Sequence, residues 1–323
     1  MSAATPLKTK HPHNNASERK ETWTGIRLTA SVVRDMVAKC TDRGVFMAAF
    51  RANGIITLTT DFGAREPFVG IMKGVMLGHA PHLRFIDMAH EVSAFQPVEA
   101  GFWLAHALRY FPAGTLHVAV VDPGVGTPRA LIVAFVGEQA VLAPDNGLLA
   151  PLAARGKIDR VIQVDNARLV RFGVSDVSAT FHGRDVFAPL AAAIAAGRCD
   201  PSDLGNEIGS LSQEAWPPTR PRADGGVAGV IVAVDRFGNL ISNIESSAVV
   251  ALSTPTVHIA GLRLPLKRTY GDAQPGEYMG LINSFEVLEV AQSRGNAAKG
   301  LNVAVGAPIS AVPAVLDPQF RRG

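Results

Sequence analysis

The chain has 323 residues, enough for one large domain or two medium ones, and its 47% hydrophobic and 18% charged residues exclude a disordered or fibrous chain. Its two cysteines, Cys40 and Cys199, exclude a disulfide framework and a cysteine-based zinc cluster, and they fit a reducing compartment. The formal charge of +3 belongs to residues 1–53, where nine Lys and Arg face four Asp and Glu; the other 270 residues carry −2, which argues against a nucleic-acid partner.

In chain order, residues 1–53 read as a polar, basic extension outside the fold, with one short amphipathic helix over Ser31–Lys39. Met47 directly precedes the first strong strand signal, so translation is expected to start there. No stretch reaches the roughly 20 apolar residues that cross a bilayer, and the start lacks the order of a secretory signal. A cytoplasmic protein with no membrane partner is expected.

From Gly54 the pattern alternates. A strand is predicted over Gly54–Thr60, a helix over Phe68–His79, a strand over Leu83–Asp87, a helix over Pro97–Tyr110 and a strand over Thr115–Val121. Strand signals at Leu131–Phe135 and Val161–Val164 follow, then a buried Ala-rich helix within Val186–Gly197. This alternation predicts an α/β domain over residues 54–222 with a mostly parallel sheet covered on both faces. Trp216-Pro217-Pro218, Pro221 and Gly225-Gly226 mark a linker. After it, the β-type runs Gly229–Val234, Thr256–Ala260 and Leu301–Val305 predict a smaller β-barrel domain over 227–315.

Polar groups just beyond the carboxyl ends of strands are where an α/β sheet keeps its site. Asp61, in TTDFG, is either a turn cap or a carboxylate for a ribose diol. Asp122 and Arg129 end one tight Gly-rich loop and can fold back into an ion pair, structural or facing a cleft. The loop lacks the third glycine of a dinucleotide fingerprint. His182 precedes the Ala-rich helix and is either a structural histidine or a group of the same site; the following Arg184-Asp185 reads as a helix cap. In the second half, Asp235, Phe237 and Asn239, with Asn283-Ser284-Phe285, combine amides, a hydroxyl and aromatic faces, which is either ordinary turn sequence or a purine site.

Taken together, TTDFG (59–63), GIMKGVM (70–76), FPAGTLHVAVVDPGVGTPR (111–129), APDNGLL (143–149), FHGRDVFAP (181–189), DRFGNLISNI (235–244), INSF (282–285) and RGNAA (294–298) resemble the S-adenosylmethionine hydroxide adenosyltransferase family, the SAM hydrolases, homologous to the fluorinating and chlorinating adenosyltransferases. The resemblance spans roughly residues 54–315. It implies an amino-terminal α/β domain, a carboxyl-terminal β-barrel, and homotrimers with substrate sites between subunits. It implies hydrolysis of S-adenosyl-L-methionine at ribose C5′ to adenosine and L-methionine, with no cofactor and no metal. Asp122, Arg129 and His182 take the catalytic roles, with His182 completing a water cage or taking the proton. The substrate-binding positions are Asp61, Phe95, Asp235, Phe237, Asn239, Ser284, Phe285, Asn296 and Ala297.

The halogenating relatives carry an uncharged tyrosine at Asp122, Tyr-Ser at His182-Gly183 and an insertion after Gln96-Pro97 that is missing here, so water rather than halide is the expected nucleophile. They also have an Arg at Phe285 and a Ser at Phe68, which leaves the methionine carboxylate to Ser284 and backbone amides. A non-catalytic binder of S-adenosylmethionine or adenosine is the other reading.

Overall fold

A computed structural model describes residues 50–212 and 216–314. The helix expected over Ser31–Lys39, Cys40 and the expected start at Met47 lie outside the described residues. Phe50–Asn53, the end of the expected extension, lie against the fold: Phe50 meets Phe135 edge-on at 6.4 Å, and the Asn53 amide donates to the Ala113 carbonyl at 2.8 Å.

The first half runs β1 (Ile55–Thr60), α1 (Phe68–His79), β2 (Arg84–Ala89), α2 (Pro97–Ala107), β3 (Leu116–Val120), β4 (Leu131–Val136), β5 (Gln139–Pro144), α3 (Ala150–Ala154), β6 (Arg160–Val164), α4 (Ala188–Ala195) and β7 (Gly205–Ile208). The sheet order is β2-β1-β3-β5-β4-β6-β7. Pairings from β2 to β5 are parallel and those from β5 to β7 antiparallel, so the α/β sheet is mixed rather than mostly parallel. The cause is the β4–β5 hairpin, whose two-residue turn Gly137-Glu138 has Gly137 at φ +57°, a conformation that costs glycine little.

Alternation along the strands splits the core into two layers. Ile56, Leu58, Leu116, Val118 and Val120 face α1 and the all-buried α4. Ala119, Val121, Ile132, Ala134 and Val141 face α2 and α3.

His117 of β3 is fully buried. Its Nδ1 accepts from the Thr57 hydroxyl at 2.8 Å and its Nε2 faces Gln139 Oε1 at 3.3 Å, an arrangement that suits the neutral ring. Burial pushes its pKa down to about 4. Between that value and the unfolded value near 6.5 the unfolded chain binds a proton that the folded chain refuses, so stability rises with pH through this window. Acidification should therefore remove about 3 kcal/mol as pH falls from roughly 6.5 toward 4. Urea midpoints at pH 7 and 4.5 should separate widely for wild type and much less for His117→Gln; equal separations would refute the assignment.

The second half comprises β8 (Arg220–Pro221), β9 (Val227–Val234), β10 (Leu240–Glu245), α5 (Ser246–Val250), β11 (Thr256–Ile259), β12 (Leu262–Pro265), β13 (Tyr278–Ile282), β14 (Val287–Gln292), α6 (Ala297–Leu301) and β15 (Pro308–Val312). The order β12-β11-β15-β9-β10-β14-β13 is antiparallel, and a bridge from Leu266 to Gly280 nearly closes it into a barrel around Ile231, Leu240, Leu288, Val290 and Ile309. The strand expected over Leu301–Val305 is instead the end of α6 and a turn. Asn296 caps that helix through the Lys299 N–H, and Asn302 ends it in the left-handed conformation.

Candidate active site

β1 and β3 lie side by side and parallel, so the loops that follow them open at the same edge of the sheet. Asp122 lies two residues past the end of β3, and the loop turns back so that Arg129 Nε donates to both Asp122 oxygens, at 2.8 and 2.7 Å, while Nη2 donates to Oδ2. Gly126 permits this loop. At φ +79° it lies so close to residue 179 that a Cβ would sit 2.3 Å from the Ala179 carbonyl. That contact places the segment before α4 alongside, and Arg129 Nη2 reaches His182 Nδ1 at 3.1 Å.

The pair is largely removed from water, with side-chain exposures of 4% for Asp122 and 12% for Arg129. Burial lowers the His182 pKa, Arg129 lowers it further, and Asp122 and Asp185 oppose the shift. Arginine only donates, so Nδ1 is the accepting nitrogen and the proton of the neutral ring sits on Nε2. Asp185 does not cap the helix. It pairs with Arg184 and accepts the Ser178 N–H at 2.9 Å, which ties down the loop that carries His182.

Asp122 and His182 line a cavity of about 490 Å³. Its other wall is aromatic: Phe62, Phe68 and Phe181 meet edge-on at 5.4–6.1 Å between centroids. A larger cavity of about 780 Å³ lies elsewhere, and the Arg155–Glu245 and Arg109–Glu286 pairs there balance each other's charge. Cys199 is buried and its thiol is pushed up to about 11, chiefly by burial, which makes it a poor nucleophile. Among the described residues no cluster of His, Cys, Asp or Glu is arranged to hold a metal ion, and no helix is long and apolar enough to cross a membrane.

Asp61 begins the neighbouring loop. Its Oδ2 accepts the N–H of Phe95, which is held at φ +64° and is 70% exposed, leaving Oδ1 open. The loop rests on a residue that motif reading missed, His90. Thr60 Oγ1 bonds His90 Nδ1 at 2.9 Å, His90 Nε2 bonds Asp87 Oδ1 at 2.9 Å, and the Gly63 N–H donates to the His90 carbonyl at 2.7 Å.

The second-half residues form a separate group. Asp235 Oδ1 accepts the N–H groups of Phe237 and Asn239, and Oδ2 accepts from the Asn239 amide at 2.9 Å, so this turn presents the Phe237 ring 73% exposed. Asn296 packs on the same turn, where a Cβ on Gly238 would fall 2.1 Å from its amide carbon; Ala297, next to it, is fully buried. Ser284 is exposed, while Phe285 packs against Trp103 and His106 of its own chain at 5.7 and 5.4 Å. No hydrogen bond or ion pair among the described residues joins the Asp235 turn to Asp122, Arg129 or His182. Tyr270 and Glu289 also belong to this half and carry no motif signal beyond one acid inside the apolar run Val287–Ala291.

An α/β half with an ion-paired cage in an aromatic-walled cavity, followed by a barrel with an exposed aromatic-amide turn, defines a two-part enzyme for a small molecule. The chain belongs to the SAM hydroxide adenosyltransferase family: the models of that family's N-terminal and C-terminal domains match residues 56–205 and 229–310. It is 34% identical over 254 residues to the (R)-S-adenosyl-L-methionine hydrolase of Thermus thermophilus, covering 77% of this chain and 96% of the relative. It is 38% identical over 257 residues to the enzyme of that name from Salinispora tropica, covering 78% and 95%. A fluorinase of Actinoplanes sp. is more distant, at 26% over 301 residues, covering 81% and 98%. The crystal structure of an uncharacterized conserved protein from Thermotoga maritima matches with a TM-score of 0.73 at 30% identity, covering 80% of this chain and 99% of that one.

Proposed function

We propose that this chain hydrolyses S-adenosyl-L-methionine, bringing water to ribose C5′ and releasing adenosine and L-methionine. The observation that carries the reading is the cage: Asp122 fixed by the Arg129 fork, with His182 accepting from the same guanidinium, beside a wall of aromatic rings. The sulfonium leaves as a neutral thioether and needs no acid. The nucleophile is the difficulty, and holding water in line can supply up to about 7 to 11 kcal/mol in ideal cases. Water donating one hydrogen to Asp122 and accepting one from His182 Nε2 keeps a lone pair for C5′. As the O–C bond forms and the C–S bond breaks, the water proton passes to Asp122 and then to solvent. His182 orients water rather than removing its proton, because its Nδ1 is already engaged. The Phe62, Phe68 and Phe181 rings suit a cationic sulfonium.

The remaining contacts follow the chemistry of the groups. Asp61, beside Phe95, takes the ribose diol; the Phe237 face and the Asn239, Asn296 and Ala297 segments take the base; Ser284 takes the methionine end. We divide the chain into an α/β domain over 54–222 and a barrel domain over 227–315, and read the working unit as a cytoplasmic homotrimer in which one subunit's cage faces its neighbour's barrel. Exposed Ile71, Leu77 and Ile86, with the open Phe237 ring, support an assembly that covers them.

The names of the relatives specify the R sulfonium, and we extend that preference to this chain. Purified protein given each epimer should release adenosine from the R form and at least about tenfold less from the S form, a gap of about 1.4 kcal/mol. Saturable binding without adenosine would make the chain a binder. A 5′-halogenated nucleoside formed in halide buffer would overturn water as the nucleophile.

A further inference from the structure

Glu289 lies in the middle of β14, where its neighbours Leu288 and Val290 turn into the barrel core; the alternation sends Glu289 to the opposite face, yet it is only 3% exposed. Burial raises its pKa, bonds from Tyr270 and Asn283 oppose that, and Asp235 adds to it. An apolar residue would pack here without that cost.

Both oxygens are occupied, one by a side chain from a separate turn and the other by a side chain of the turn that leads into β14. Oε1 accepts from the Tyr270 phenol at 2.8 Å and Oε2 from Asn283 Nδ2 at 3.1 Å. Asn283 passes the constraint on: its Oδ1 accepts the N–H groups of Phe285 and Val287 at 2.9 and 3.3 Å, and its carbonyl accepts that of Glu286. The resulting turn, with Glu286 at φ +62°, is the one that presents Ser284. Tyr270 begins a short turn closed by a Thr269–Asp272 capping box, and its ring is half-exposed. Glu289 therefore ties two surface features to one point within electrostatic reach of the Asp235 turn.

We propose that Glu289 is a positioning residue for the nucleoside-binding half, holding the Tyr270 ring and the Ser284 turn in register with the Asp235–Asn239 turn so that both ends of a sulfonium nucleoside meet groups at fixed spacing. This rests on the substrate reading given above. Glu289→Gln keeps the shape but removes the charge and turns one acceptor into a donor, so the charge-assisted bonds weaken and either Tyr270 must accept where it donated or the Asn283 bond is lost. Tyr270→Phe removes the phenol bond alone.

The test combines kinetics with a tyrosine titration on the full chain. Glu289→Gln should raise KM for the sulfonium substrate about tenfold with kcat within about threefold, and Tyr270→Phe should raise KM less. Absorbance at 295 nm should show one of the three tyrosines resisting ionisation in wild type and ionising at lower pH in Glu289→Gln, because burial raises the Tyr270 pKa and the Glu289 bond and charge raise it further. A wild type that turns over, paired with a Glu289→Gln variant of unchanged KM and unchanged titration, overturns the inference. A wild type that releases no adenosine overturns the substrate reading instead. The titration then decides alone, and identical curves overturn the link between Glu289 and Tyr270.

Discussion

Asp122→Ala is expected to lower kcat by about a thousandfold, within the roughly 10²- to 10⁴-fold range of a positioned proton acceptor, while KM stays within about threefold. In the proposed mechanism the carboxylate touches the attacking water and not the nucleoside, so its loss falls on the transition state. The same change leaves the nearly buried Arg129 guanidinium with only His182 as a side-chain partner, which costs stability. D122N separates the two effects, because the amide oxygen still accepts from Arg129 but cannot take a proton from water. Thermal midpoints should fall for the alanine variant and less for the asparagine one, with kcat low in both. A D122N enzyme with wild-type turnover would remove Asp122 from the water cage.

The second large effect concerns subunit pairing. Phe237→Ala, at an exposed position, should lower kcat/KM by roughly 10- to 100-fold, the worth of one stacked base. Co-expressed with Asp122→Ala and purified through two different tags, it should recover roughly a third of wild-type kcat/KM, because every mixed ring of the proposed homotrimer has one interface in three that joins an intact cage to an intact barrel. If each chain holds its whole site, the mixture stays at the mean of two crippled enzymes. The recovery is thus a direct measure of where the two halves of the site meet.

The first half was legible because its strands are short runs rich in apolar and β-branched residues between helical segments: β1, β3, β4 and β6 and the helix α1 stand where the pattern put them. β5 escaped because only Gly137-Glu138 separates it from β4, and with it went the antiparallel half of the sheet. In the barrel, β14 was hidden by Glu289, which breaks the apolar run for a reason that appears only when the Tyr270 and Asn283 side chains are seen to meet it. The error at Leu301–Val305 is instructive. The apolar letters looked like a strand, but the polar Asn296 and Asn302 set the backbone there.

Asp122 and Arg129 were readable as one loop, seven residues apart. His182 reaches them only through the packing of Gly126 against Ala179, which motif order hints at and geometry supplies. The residues that the resemblance assigns to the nucleoside could be named from the sequence but not placed against the cage, and no hydrogen bond or ion pair among the described residues joins the Asp235 turn to it.

The position of the His182 proton has one more consequence. In the proposed mechanism, a cage that donates from Nε2 and accepts at Asp122 is shaped for any oxygen bearing hydrogen, and the oxygen that attacks becomes the 5′-hydroxyl of the nucleoside released. Reactant and product therefore share one oxygen in one socket, and the cycle ends with a leaving step that must break the same contacts that made the attack possible.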